Sequence, residues 1–119
     1  MKGSSRRPEQ VSETLRQVVA DALTRGIRDP RVGFVTVTRV EVSPDLSHAK
    51  VFVAVPGEEA DRERTLEGLV SASGYLRSLA AKVLTTRSVP ELHFELDRGL
   101  EHATRINQLL EELRREGQG

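Results

Sequence analysis

Apolar residues recur with helical period near the N-terminus. Val11, Leu15, Val18, Val19, Ala22 and Leu23 fall at i, i+4, i+7, i+8, i+11 and i+12, one stripe on one face. The spacing predicts a helix from about Pro8 to Arg25, with Pro8 and Glu9 suited to its first turn and Gly26 to its stop. The pattern then changes. Phe34 to Val42 is β-branched and aromatic and reads as a strand, but Val35 and Val37 share one parity while Val40 and Val42 take the other. Either both faces of this strand are partly covered or a bulge intervenes. Ser43-Pro44-Asp45-Leu46-Ser47 is a turn, and His48 to Val55 is a second strand with Val51, Val53 and Val55 on one face. The two runs predict a hairpin.

Pro56-Gly57 closes the hairpin, and helical period returns near Asp61–Leu84 with Leu66, Leu69, Val70, Leu76, Leu79, Ala80, Val83 and Leu84 on the buried side. After a Thr85–Pro90 loop, Leu92, Phe94 and Leu96 alternate with His93, Glu95 and Asp97, a third strand. Ala103, Ile106, Leu109, Leu110 and Leu113 then form the stripe of a last helix. The order α-β-β-α-β-α predicts an α+β domain, its three-stranded sheet covered on one face by helices. Residues 8–113 would form that domain, 1–7 a flexible N-terminus and 114–119 a polar tail. No repeat, linker or low-complexity tract divides the chain.

Composition narrows the chemistry. In 119 residues there is no cysteine, which removes disulfides, thiolate metal sites and cysteine nucleophiles. No apolar run is long enough to span a bilayer, and the first ten residues carry no secretory core, so a cytoplasmic location is expected. The 18 basic residues balance the 18 acidic ones, yet their distribution is uneven. Positions 2, 6, 7, 16, 25, 28 and 31 are basic against acids at 9, 13, 21 and 29, whereas acids at 58, 59, 61, 63 and 67 outweigh Arg62 and Arg64. Arg77, Lys82 and Arg87 make a second basic segment. Such asymmetry suits an electrostatic footprint and also suits an ordinary mixed surface.

Three segments carry a resemblance: DPRVGFVTVTRVEVSPDLSHAKVFVAV from Asp29 to Val55, Ala72-Ser73-Gly74, and Arg87-Ser88-Val89-Pro90-Glu91-Leu92-His93-Phe94. In this order, over nearly the whole chain, they resemble the bacterial ribosome-binding factor A family of 30S assembly factors. That resemblance implies a variant of the type II K-homology (KH) domain with a mixed sheet. An ordinary KH domain clamps four nucleotides on a Gly-X-X-Gly loop, where backbone N–H groups approach phosphates without Cβ obstruction. This chain has no Gly-X-X-Gly. The family's Ala-X-Gly element stands in its place, which implies a helix kink at Ala72, Ser73 and Gly74. By itself Gly74 could equally allow close helix–sheet packing. Ser71 and Ser73 could sharpen a bend by bonding to upstream carbonyls.

RNA contact would then pass to side chains on either side of the kink: Arg25, Arg28 and Arg31 after the first helix, and Ser73, Gly74, Tyr75, Arg77, Lys82 and Arg87 in and after the second. Asp29-Pro30-Arg31 and the Asp45 turn also read well as purely structural. Phe34, Phe52 and Phe94 are expected in the core, which disfavours base stacking on the sheet. His48, His93 and His102 match no catalytic or metal motif, and His93, Asp97 and His102 would need unrelated placements to converge, so no enzyme activity, metal or cofactor is expected. The resemblance implies a monomer that binds the 30S subunit and 16S rRNA late in maturation, with an assembly GTPase able to drive release. It implies neither a membrane nor a small-molecule substrate. A KH-like adaptor that binds protein without touching RNA is the alternative.

Overall fold

A computed structural model of the chain describes residues 7–84 and 89–118, with the backbone alone at 100–104 and 118. Helix α1 spans Pro8–Arg25, strands β1 and β2 span Thr36–Val42 and His48–Ala54, helices α2 and α3 span Glu59–Ser71 and Ser73–Ala81, strand β3 spans Glu91–Leu96 and helix α4 spans Arg98–Gln118. The sheet order is β1-β2-β3, with β1 antiparallel and β3 parallel to the central β2. Parallel pairing needs a crossover, and the α2–α3 segment supplies it over the face already carrying α1.

Helix α1 keeps the bounds its pattern predicts. Val11, Leu15, Val19 and Ala22 are buried, and Gly26 ends the helix at φ 97°, a left-handed conformation that suits glycine. The parity change in β1 is a bulge. Val37 pairs with Val53 and Arg39 with Phe52, so Thr38 is the extra residue and Val37, Val40 and Val42 share the core side. They meet Ala49, Val51 and Val53 of β2, Leu92 and Phe94 of β3, and Leu69, Leu76 and Ala80 of the crossover. The acidic run Glu58, Glu59 and Asp61 lies at the start of α2, where the helix dipole favours it.

Four expectations are corrected. Val70 and Val83, expected on the buried side of the crossover, are both exposed. Phe34 precedes β1 and is 80% exposed, because the strand begins two residues later. Phe52 sits on the open face of the sheet beneath the Arg39 guanidinium, 4.1 Å from its ring centre, since only odd-numbered positions of β2 point into the core. Helix α4 does not help cover the sheet. Ile106, Leu109, Leu110 and Leu113 are all exposed, because α1 and the crossover already fill the covered face. Its first residue is tied down, with Arg98 donating to Glu59 at 2.6 Å, and Arg105 and Gln108 still line a recess with Phe34, Thr36 and Val53 at the end of the sheet. The radius of gyration is 17.5 Å, against about 13–14 Å for a compact chain of this length. The helix also continues to Gln118, past the point where its apolar pattern ends.

Candidate nucleic-acid interface

The crossover is broken at one residue. Ala72 has φ −87° and ψ −1°, right-handed but with ψ well above the helical mean, and its N–H is shared between the carbonyls of Gly68 and Leu69, each at 3.0 Å. Ala72 is buried and belongs to the core cluster. The Ser73 hydroxyl donates back to the Leu69 carbonyl at 3.4 Å. The Ser71 hydroxyl instead accepts from Arg31 at 2.9 Å. Gly74 lies within α3, and a Cβ there would meet nothing within 4 Å, so close packing is not what calls for glycine at that position.

Gly68, which the sequence patterns did not single out, is the glycine under pressure. A Cβ there would lie 2.6 Å from Val32 Cγ2 and 3.2 Å from Arg31 Cβ. A glycine inside a helical run is the signal that could have exposed it, since it forfeits about 1 kcal/mol of helix propensity without an evident turn. Its absent side chain lets the loop after α1 lie directly against α2.

That loop is held by Asp29. Its Oδ1 accepts from the Arg31 backbone N–H at 2.9 Å and from Nε at 3.0 Å, while Oδ2 accepts from Nη2 at 2.7 Å. The Arg31 guanidinium and N–H together hold the Asp29 carboxyl at about 2. The Thr65 hydroxyl, nearly buried, is shared between the Asp61 carbonyl at 3.0 Å and the Arg31 carbonyl at 3.2 Å. Arg31 is thus a clamp between the loop and the crossover, with little charge left to offer an outside anion.

Between loop and break lies a recess of about 540 Å³, lined by Gly26, Ile27, Arg28, Asp29, Ser71, Ala72 and Tyr75. Of the expected residues, Arg28 and Tyr75 line it directly and Arg31 braces its wall. Arg28 is exposed and has no carboxylate partner among the described residues, and Tyr75 is 56% exposed. Arg25 is exposed one residue before Gly26, but is paired with Asp21 at 3.0 Å. Arg77 is drawn away, donating to the Val89 carbonyl at 2.9 Å where the chain enters β3. Lys82 is exposed just beyond α3. Arg87 lies outside the described residues. The turn at Asp45 is structural: the Ser47 and Ser43 hydroxyls, each at 2.7 Å, and the Ser47 N–H hold its carboxyl at about 2.

Such a recess can take an anionic, partly flat ligand: one uncommitted guanidinium, one aromatic ring, and hydroxyl and backbone groups at a helix break. It holds no Gly-X-X-Gly clamp, so phosphate contact rests on side chains. Among the described residues no helix is long and apolar enough to cross a membrane.

A family model described as ribosome-binding factor A matches residues 7–110. The ribosome-binding factor A of Thermomicrobium roseum is 51% identical over 96% of this chain and 88% of its own length. A solution structure of a Thermotoga maritima protein, a putative ribosome-binding factor A, superposes with TM-score 0.67 at 34% identity, covering 80% of this chain and 90% of that one. A homology model of the Thermus thermophilus ribosome-binding factor A, fitted into a cryo-EM map of a 30S complex, superposes with TM-score 0.55 at 27% identity over 77% and 92% of the two chains.

Proposed function

The chain belongs to the ribosome-binding factor A family, and from that premise we propose that it docks on free 30S subunits or their precursors, acting late in small-subunit maturation and 16S rRNA processing. The similarity to the chain fitted into a 30S complex carries this reading. Its KH-like fold supports RNA contact through the recess at the Ala72 break, with Arg28 and Tyr75 as the leading contacts and Arg25, Ser73, Gly74, Arg77, Lys82 and Arg87 around them. Arg31 positions the loop. No bond needs to be made or broken. A factor that binds an immature rRNA conformation more tightly than the mature one shifts the balance between them by that difference, tenfold for every ~1.4 kcal/mol. While bound, it would keep the subunit from joining its larger partner. Release by an assembly GTPase, a monomeric state and a cytoplasmic location complete the proposal.

Co-sedimentation with purified free 30S subunits across a salt series tests it. If about four phosphates are neutralised, the log–log slope of affinity against salt is near −3. Arg28→Ala should weaken binding and flatten the slope by about 1. Absence of comigration at any salt would overturn the reading. The exposed apolar stripe of α4 favours a second reading, an adaptor that docks on protein. That mode predicts comigration with a flat salt response, unchanged by Arg28→Ala.

A further inference from the structure

The open face of the sheet gathers two of the three histidines. Parallel pairing sets His48 of β2 beside Glu91 of β3, and His93 lies two residues further along β3 on the same face. Neighbouring strands are about 4.8 Å apart, so the backbone itself brings the three side chains together. The His48 and His93 rings are 5.2 Å apart between centres, with Nδ1 of His48 3.1 Å from Nε2 of His93. The Glu91 Oε2 lies 3.9 Å from His48 Nδ1, and one ligand atom from each residue falls within 4.8 Å of the other two.

The nitrogen–nitrogen separation is close to the edge of a coordination polyhedron, and the Glu91 oxygen at 3.9 Å lies somewhat beyond it on an exposed side chain. A tetrahedral ion with nitrogen or oxygen ligands at about 2.0–2.1 Å holds them about 3.3 Å apart. We propose that His48 Nδ1, His93 Nε2 and Glu91 Oε2 form a binding site for a divalent transition ion of borderline softness, with Zn²⁺ as its representative. Two imidazoles and one carboxylate without a thiolate select that class over Mg²⁺ or Ca²⁺, which require oxygen-rich shells. In the bound form His48 carries its proton on Nε2 and His93 on Nδ1, the nitrogens turned away from the ion. His48, Glu91 and His93 are all exposed, so solvent water can supply the fourth ligand. Lys50, which pairs with His93 in the register, is drawn toward Glu95 at 3.9 Å. The ion would cross-link β2 to β3 without entering the core, on elements other than the loop and crossover that line the RNA recess.

Full-length, tag-free protein is stripped with a chelator, then titrated with Zn²⁺ by calorimetry and with Co²⁺ by visible absorption. The expected result is one ion per chain with a four-coordinate Co²⁺ spectrum, and a melting temperature raised by Zn²⁺ and not by Mg²⁺. Even outer-layer partners of metal ligands are worth about 10–100-fold in affinity, so His48→Gln and His93→Gln should each lose at least tenfold, and Glu91→Gln a smaller but measurable factor. His102→Gln should change nothing. All three ligands are exposed, so unchanged circular dichroism is expected for every variant. Absence of saturable binding, or binding lost in His102→Gln and retained in the other histidine variants, would overturn the proposal.

Discussion

Replacing either of two glycines six positions apart with alanine should move stability in opposite directions. Both Gly68 and Gly74 are helical, so alanine gains about 0.5–1 kcal/mol of propensity at each. At Gly74 the new methyl group meets nothing within 4 Å, and the gain stands alone. At Gly68 it would sit 2.6 Å from Val32 Cγ2, and ordinary contact requires 3.5 Å or more, so something must retreat by about 1 Å. Arg31 Cβ at 3.2 Å closes the other direction, and the Arg31–Asp29 clamp stiffens the loop that would have to move. Overpacking of this kind costs about 1–3 kcal/mol. The net expectation is a loss of about 1 kcal/mol for Gly68→Ala and a gain of about 0.5–1 kcal/mol for Gly74→Ala. Urea midpoints at constant m-value measure both. In a Val32→Ala background the Gly68→Ala penalty should shrink by at least about 0.5 kcal/mol, since the clashing carbon is gone. A Gly68→Ala protein as stable as wild type, or a penalty indifferent to Val32→Ala, would refute the close approach of loop and crossover.

Removing residues 109–119 should change stability by less than about 0.5 kcal/mol in the same urea assay, because Leu109, Leu110 and Leu113 bury little. A larger loss would mean that α4 docks on the core in solution. The Leu76 side chain is fully buried, and Leu76→Ala should cost about 2–5 kcal/mol by thermal or urea unfolding. Asp29 and Asp45 are held at about 2, below the unfolded value near 3.8, so the stability each contributes is full above about pH 4 and disappears as pH falls through about 2. Melting temperature followed from pH 5 to 2 should therefore fall less steeply for Asp45→Asn than for wild type, and equal slopes would show that the serine cradle is not intact.

How much of this was legible in the sequence depended on whether a feature was local. Helix α1 could be bounded because Pro8, the apolar stripe and Gly26 are all local signals. The parity change between Val37 and Val40 already contained the bulge, although only pairing with β2 shows that Thr38 is the extra residue. The Asp45 turn was readable as side-chain bonding, but the left-handed φ of 64° at Leu46 was not, since leucine is no marker for it. Around the recess, Arg28 and Tyr75 are candidates that the resemblance implies, and the structure places both in its lining. The Asp29-Pro30-Arg31 turn was legible as structural, but the reach of Arg31 to Ser71 and the close approach at Gly68 were not, because each joins segments about forty residues apart. The stripe of α4 predicts a helix correctly and cannot say what covers it. The grouping of His48, Glu91 and His93 requires the parallel register, which no local pattern specifies.

That parallel register also sets an order of events in synthesis. The N-terminal helix and the hairpin can assemble on one another as soon as they are made, since the contacts among them are near in sequence. Strand β2, central in the finished sheet, then has an unpaired edge until residue 91 arrives to meet residue 48. For that interval a strand carrying Val51, Phe52 and Val53 is open to pairing with another chain, and His48 and Lys50 are its polar interruptions. Closing the sheet waits on the whole crossover, including the break at Ala72. The nascent chain is therefore most vulnerable to aggregation while α2 and α3 are being made, and least so once six residues of β3 have zipped into place.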